Sequence, residues 1–140
     1  MFISDSEDVV YTKVKINPGD RCKVELNVEK ENSMCIEWTF KSEGHDIGFG
    51  IFLEKTQAVL PKKRVEANKS IQCGFFLCEA KGLYTVVFDN TYSFARAKTV
   101  HYEVKLVPKE EVQKEEKMLH DLEEEMTKMS SELNSKVTIE

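Results

Sequence analysis

GLYTVVFDNTYSFARAKTVHYEVKL, residues 82–106, decides how the rest of this chain is read. Two apolar runs flank a crowded polar corner. In 97–107 the alternation is strict: Val100, Tyr102, Val104 and Leu106 face one way, and Thr99, His101, Glu103 and Lys105 the other. That period of two is the signature of a half-buried strand. Residues 83–89 read as a second strand, so DNTYS is the connection between two strands. Its acid, amide and hydroxyls suit either a ligand-gripping loop or a turn whose side chains cap local amides. On the turn reading, Tyr92 and Phe94 are expected partly buried, sealing the end of the fold.

Working outward, the pattern repeats. Residues 9–16 are β-rich, and NPGD (17–20) ends them with a turn. Cys22, Val24, Leu26 and Val28 alternate with polar residues in 21–29, as do Met34, Ile36, Trp38 and Phe40 in 34–41. After SEGHD, IGFGIFLE (47–54) is a further strand, with Phe49 and Ile51 or Ile47 and Leu53 inward and Gly48 and Gly50 on the opposite face. Residues 55–70 are mixed and polar and read as the longest loop; 71–79 resume strand character. About seven or eight short strands without a helical period indicate an all-β, antiparallel β-sandwich. A jelly roll is the expected topology, although alternation alone does not separate it from an immunoglobulin-like sandwich.

Pro108 closes this body, and 108–140 is a different object, rich in Glu, Lys, Leu and Met. Val112, Leu119, Leu122, Met126, Met129 and Leu133 fall at heptad spacing, the a/d seam of a C-terminal α-helix with coiled-coil-like heptads. Pro108 and the early Glu110 and Glu111 suit a helix start. The seam either lies back on the sandwich or meets another chain. Glu116, Glu123, Glu125 and Glu132 flank it, so a basic partner helix or an antiparallel arrangement is favoured over parallel self-pairing. The domain reading is a lead-in at 1–8, a β-sandwich at 9–107, and an acidic amphipathic helix at 108–140.

Charge follows the same division. Residues 109–140 carry five lysines against ten acids, which accounts for the whole net charge of −5 and leaves a neutral body. A neutral body gives no electrostatic footprint for nucleic acid. No apolar run approaches the roughly 18 residues needed to span a bilayer, and the first residues lack the basic start and apolar core of a signal peptide. A cytoplasmic chain is expected. Cys22, Cys35, Cys73 and Cys78 form no C-x-x-C pair, and all four are expected as reduced thiols packed in strands. No metal or cofactor is expected.

The string IEWTFKSEGHDIGFGIFLE (36–54), with GLYTVVFDNTYSFARAKTVHYEV (82–104), resembles the GOLD domain, closest to the cytosolic GOLD domains of SEC14-like lipid-transfer proteins. The likeness covers about residues 9–107. It implies a jelly-roll sandwich that serves as a binding module in Golgi dynamics, membrane traffic and lipid transfer, without enzymatic activity. It also implies peripheral association with Golgi or endomembranes. Val87 and Phe88 stand where secreted p24 members carry a cysteine, which favours the cytosolic branch. The lipid-binding CRAL-TRIO domain of SEC14-like proteins has no counterpart in these residues.

Several residues invite a sharper reading. Glu43, His45 and Asp46 are either an acid–base group or, as expected, a hairpin corner in which Asp46 bonds backbone amides. Glycines inside a strand mark a bulge or a close approach; for Gly48 and Gly50 the neighbour is expected to be an aromatic ring, or else a docked ligand. Lys62, Lys63 and Arg64, placed in the long loop, are candidate contacts for anionic lipid headgroups. Ser93, His101 and Asp89 do not make a convincing triad, since His101 faces outward and no G-x-S-x-G elbow surrounds Ser93. Candidate partner- or ligand-binding residues are Asp46, Gly48, Gly50, Asp89, Asn90, Tyr92 and Arg96. The expected function is a protein-interaction adaptor; the alternatives are a membrane-surface module acting through 62–64, and a small-ligand or sugar site on a concave face.

Overall fold

The computed structural model describes residues 10–138, with side chains to residue 133. The lead-in at 1–8 and the start of the first strand at Val9 lie outside the described residues. The chain divides into two compact units at the Val107–Pro108 junction.

Among the described residues the first unit contains eight strands: β1 (Thr12–Ile16), β2 (Arg21–Val28), β3 (Met34–Glu43), β4 (Ile47–Leu53), β5 (Gln57–Val65), β6 (Gln72–Cys78), β7 (Gly82–Asp89) and β8 (Lys98–Pro108). They form two four-stranded sheets, ordered β1-β8-β3-β6 and β2-β7-β4-β5. That interleaving is a jelly roll: only β4 and β5 are consecutive strands in one sheet, and every other connection crosses between sheets. Four crossings, β1–β2, β3–β4, β5–β6 and β7–β8, gather at one end. Backbone bonds tie them in pairs: Gly19 N–H donates to Asn90 O, Asn90 N–H to Asp20 O, and Ser42 N–H to Ala67 O. NPGD makes its turn with Gly19 at φ +84°, where a side chain is disfavoured.

The core follows from the alternation. Ile36 and Phe40 of β3 and Val100 of β8 face Ile47, Phe49 and Ile51 of β4 and Tyr84, Val86 and Phe88 of β7, all buried. The odd-numbered positions of β4 therefore all turn inward. Aromatic rings bridge the sheets: Phe40 lies 4.7 Å from Phe49 and 5.0 Å from Phe88, and Phe88 lies 5.1 Å from Tyr102. Trp38 packs 5.1 Å from Phe49. Such tilted pairs add to plain area burial.

Three expectations need correction. Residues 57–65 are not loop but the edge strand β5. Phe49 pairs with Lys63, yet Ile51 pairs with Leu60 and Phe52 with Ala58, so β5 carries an extra residue at two points. These bulges break the period of two that would have revealed the strand, and Pro61 is tolerated because an edge strand need not donate on both sides. Phe94 does not seal the sandwich: it is 99% exposed, on the loop that crosses from β7 to β8. None of the four cysteines is in a disulfide among the described residues, but Cys73 is exposed, because it lies on the outer face of β6.

The second unit is the helix α1 (Lys109–Thr138), with Glu110 and Glu111 in its first turn. At 1.5 Å per residue its 30 residues extend about 45 Å. Leu119, Leu122, Met126, Met129 and Leu133 are each 56–63% exposed, and Val112 stands one heptad before them.

Candidate functional site

The residues singled out at DNTYS and SEGHD converge where the crossings gather. Asn90 is fully buried. Its Nδ2 donates to Ile16 O at 3.0 Å and to Arg96 O at 2.8 Å, so its side chain clamps the end of β1 to the β7–β8 crossing. Two carbonyls beside one amide atom identify that atom as the nitrogen. Asn90 is thus a fastener between segments.

Tyr92 and Asp46 form the centre of the cluster. The phenol donates to Asp46 Oδ1 at 2.8 Å and accepts from Lys98 Nζ at 3.0 Å. Arg64 Nε donates to Asp46 Oδ2 at 3.0 Å, and its guanidinium stands 4.1 Å from the Tyr92 ring centroid. Lys98 Nζ lies 4.5 Å from the same centroid and donates to Asp46 O. Burial pushes the Tyr92 phenol up to about 12, reinforced by the carboxylate that accepts its proton. Burial alone would raise Asp46, but the Tyr92 and Arg64 donors and the nearby Lys98 charge outweigh it, and its pKa falls below the usual value. Asp46 is therefore bonded by side chains, not by the backbone amides the sequence suggested. Arg96 Nη1 lies 2.9 Å from His45 Nε2; an arginine only donates, so that nitrogen is placed as the acceptor. An open cleft of about 320 Å³ lies over His45, Asp46, Arg64, Tyr92, Arg96 and Lys98.

Asp89 makes a second charged cluster on the outer face of the second sheet. It is 2% exposed, accepts from Lys62 Nζ at 2.8 Å, and is capped by the backbone N–H and hydroxyl of Thr91. Burial opposes its ionisation, but Lys62 and Thr91 prevail and lower its pKa. The basic triplet is thus divided. Lys62 serves Asp89, Arg64 serves Asp46, and Lys63 is exposed, with no ion pair among the described residues.

The glycines are explained by close strands, not by an aromatic ring. A Cβ on Gly48 would stand 3.0 Å from Asp89 Cβ, and one on Gly50 only 2.8 Å from Lys62 Cα on the first β5 bulge. Ser93, His101 and Asp89 are dispersed: Ser93 Oγ donates to Arg96 O, His101 pairs with Glu43, and Asp89 is held as above. No nucleophile–base pair results among them. Among the described residues no group of three or more His, Cys, Asp or Glu side chains is placed to hold a metal ion.

The emp24/gp25L/p24 family/GOLD model matches residues 4–138. The chain belongs to this GOLD family. The family is associated with Golgi trafficking, and its domain is a trafficking-related, non-enzymatic module. Similar curated proteins are Protein ctg-1 of Caenorhabditis elegans, 29% identical over 63% of this chain and 25% of that protein, and Golgi resident protein GCP60 of Homo sapiens, 22% identical over 73% of this chain and 26% of that protein. The chain thus spans about a quarter of the length of the curated relatives it matches. Among solved structures, a CBM4 structure overlaps at a TM-score of 0.46 and 13% identity, covering 71% of each chain. No helix among the described residues is long and apolar enough to cross a membrane.

In this GOLD domain the least legible contributor was Lys98, 2% exposed at the start of β8. The signal was present: Val100, Tyr102, Val104 and Leu106 turn inward, and the same parity carries back to 98. A lysine on an inward position needs an internal partner, and Asp46 with Tyr92 supplies it. Arg21, Lys23 and Thr85 gave no comparable signal, because outward polar residues on alternating strands are the ordinary case.

Proposed function

We propose that the chain is a protein-interaction adaptor of Golgi or endomembrane traffic, peripheral to the membrane on its cytoplasmic side, in which α1 makes the partner contact. One observation carries this: five large apolar side chains, Leu119 to Leu133, run exposed along one line of the helix. An exposed apolar stripe of that length is an interaction surface. The flanks state the partner's chemistry. Glu116, Glu123, Glu125 and Glu132 border the seam, and a parallel second copy would set Glu against Glu. A helix with an apolar seam and Lys or Arg flanks would pair with it instead. The names of the Golgi-resident relatives support the compartment.

A membrane-surface role through 62–64 ranks second, since Asp89 and Asp46 already compensate two of its three cations. Sedimentation of the full chain with two synthetic helices, identical in seam but flanked by Lys or by Glu, tests the adaptor reading. A one-to-one complex with the Lys-flanked helix alone, lost on Leu122→Glu plus Met126→Glu, is expected. Tight self-association through the seam, or equal binding of both helices, would overturn it.

A further inference from the structure

The outer face of the β2-β7-β4-β5 sheet holds a cleft that neither the corner cluster nor the helix explains. The registers place its residues in three rows. Arg21, Asp89, Gly48 and Arg64 lie side by side in the first, Lys23, Val87 and Gly50 in the second, with Lys62 of the bulge beside Gly50, and Glu25, Thr85 and Phe52 in the third. In the middle row Val87 forms the floor between two lysines, and the missing side chain of Gly50 lets the Lys62 backbone close in beside it. The resulting depression measures about 160 Å³. That is smaller than the roughly 300–1,000 Å³ of a drug-sized ligand site and suits a single small group.

Two independent features give that group its chemistry. The first is charge. Arg21, Lys23, Lys55 and Lys62 line the cleft against Glu25 and Asp89, leaving two positive charges uncompensated. Asp89 is held by Lys62 and lies 3.8 Å from Arg21, and Glu25 stands 4.0 Å from Lys55. Lys23 has no ion-pair partner among the described residues. The second is Thr85. It is 4% exposed, it lines the cleft, and its Oγ1 has no hydrogen-bond partner among the described residues. Buried hydroxyls are almost always bonded, and a valine of the same shape would avoid the cost of an unmet donor. A sandwich that keeps threonine here keeps a spare hydroxyl beneath the cleft, one χ1 rotation away from a group bound in it.

We infer that this cleft binds a phosphate monoester, whose charge of about −1.5 to −2 matches the uncompensated cations. Lys23 supplies the free positive charge, Arg21 and Lys62 the flanking donors, and Thr85 the neutral hydroxyl from the floor. Both a soluble phosphate ester and a phosphomonoester lipid headgroup present this chemistry.

The test is an amide-resolved NMR titration of the full chain with glycerol 3-phosphate at constant ionic strength, beside co-sedimentation with phosphatidylcholine vesicles containing phosphatidic acid. Saturable shifts centred on Lys23, Gly50, Thr85 and Val87 are expected, abolished by Lys23→Gln and untouched by Lys105→Gln on the opposite sheet. Thr85→Val is the sharper variant: it weakens binding about tenfold while leaving the urea midpoint unchanged or higher. Saturation in solution alone assigns a soluble ester, and vesicle binding lost in Lys23→Gln assigns a lipid headgroup. Absence of both, shifts that Lys105→Gln removes equally, or full affinity in Thr85→Val would overturn the inference.

Discussion

Asn90→Ala tests whether DNTYS is a fastener. The substitution removes the Nδ2 that donates to Ile16 O, in a buried bond, and to Arg96 O, which keeps the bond from Ser93 Oγ. An unmet buried acceptor costs about 1–3 kcal/mol. The Ile16 bond is buried and carries that cost, while the partly buried Arg96 bond adds only the roughly 0.5–1.5 kcal/mol of an ordinary bond, giving a combined loss of about 2–4 kcal/mol. Asn90 Oδ1 is itself buried without a partner among the described residues, and deleting it returns about 1 kcal/mol. The net destabilisation is therefore about 1–3 kcal/mol, a large share of the roughly 5–15 kcal/mol that holds a domain folded. Urea unfolding followed by the fluorescence of Trp38, the single tryptophan, reports on the sandwich core. With a slope of about 1–3 kcal/mol/M, the midpoint should fall by about 1–2 M. Asn90→Asp should be worse at pH 7, since it sets a carboxylate against two carbonyls. Its deficit against wild type should shrink as pH falls and the raised carboxyl regains a proton with which to donate. A change in Asn90→Ala below about 0.5 kcal/mol, the range of ordinary surface substitutions, would refute the fastener argument.

Other outcomes follow from the same structure. Gly50→Ala should destabilise by about 1–3 kcal/mol and speed hydrogen exchange in β5, because the new methyl meets Lys62 backbone; unchanged exchange would contradict the close approach. Phe94→Ser should leave the unfolding free energy from urea within about 0.5 kcal/mol of wild type, and a larger fall would restore a sealing role. Asp46 and Asp89 have folded-state pKa values below their unfolded ones, so their contribution is fully present above the unfolded value, about pH 4, and drains as pH falls through the folded values. The double variant Asp46→Asn, Asp89→Asn should therefore lose less stability than wild type between pH 5 and pH 2.5, and equal losses would contradict the assignment.

The sandwich was legible because β2, β3 and β8 keep strict alternation, and their inward residues make the core. β5 was illegible because its two bulges shift parity and an edge strand keeps exposed lysines beside a proline. The motif residues were found, yet their partners were not: Asp46 meets Tyr92, Arg64 and Lys98 only because the crossings gather at one end, a property of topology that no local pattern carries. The opposite held for Phe94. Its neighbours suggested burial, but the β7–β8 crossing is long enough to turn an aromatic ring out to solvent. Thr85 is the extreme case, an ordinary strand residue until its missing partner is seen.

The central claim is that the α1 seam meets a basic helix of another protein. A photo-reactive residue at Leu122, placed in the full chain and activated in cells, tests it most directly. The account predicts a covalent link to a different protein, within a helix whose apolar seam is bordered by Lys or Arg. Links confined to this chain or its own copies, or to an acidic segment, would contradict it.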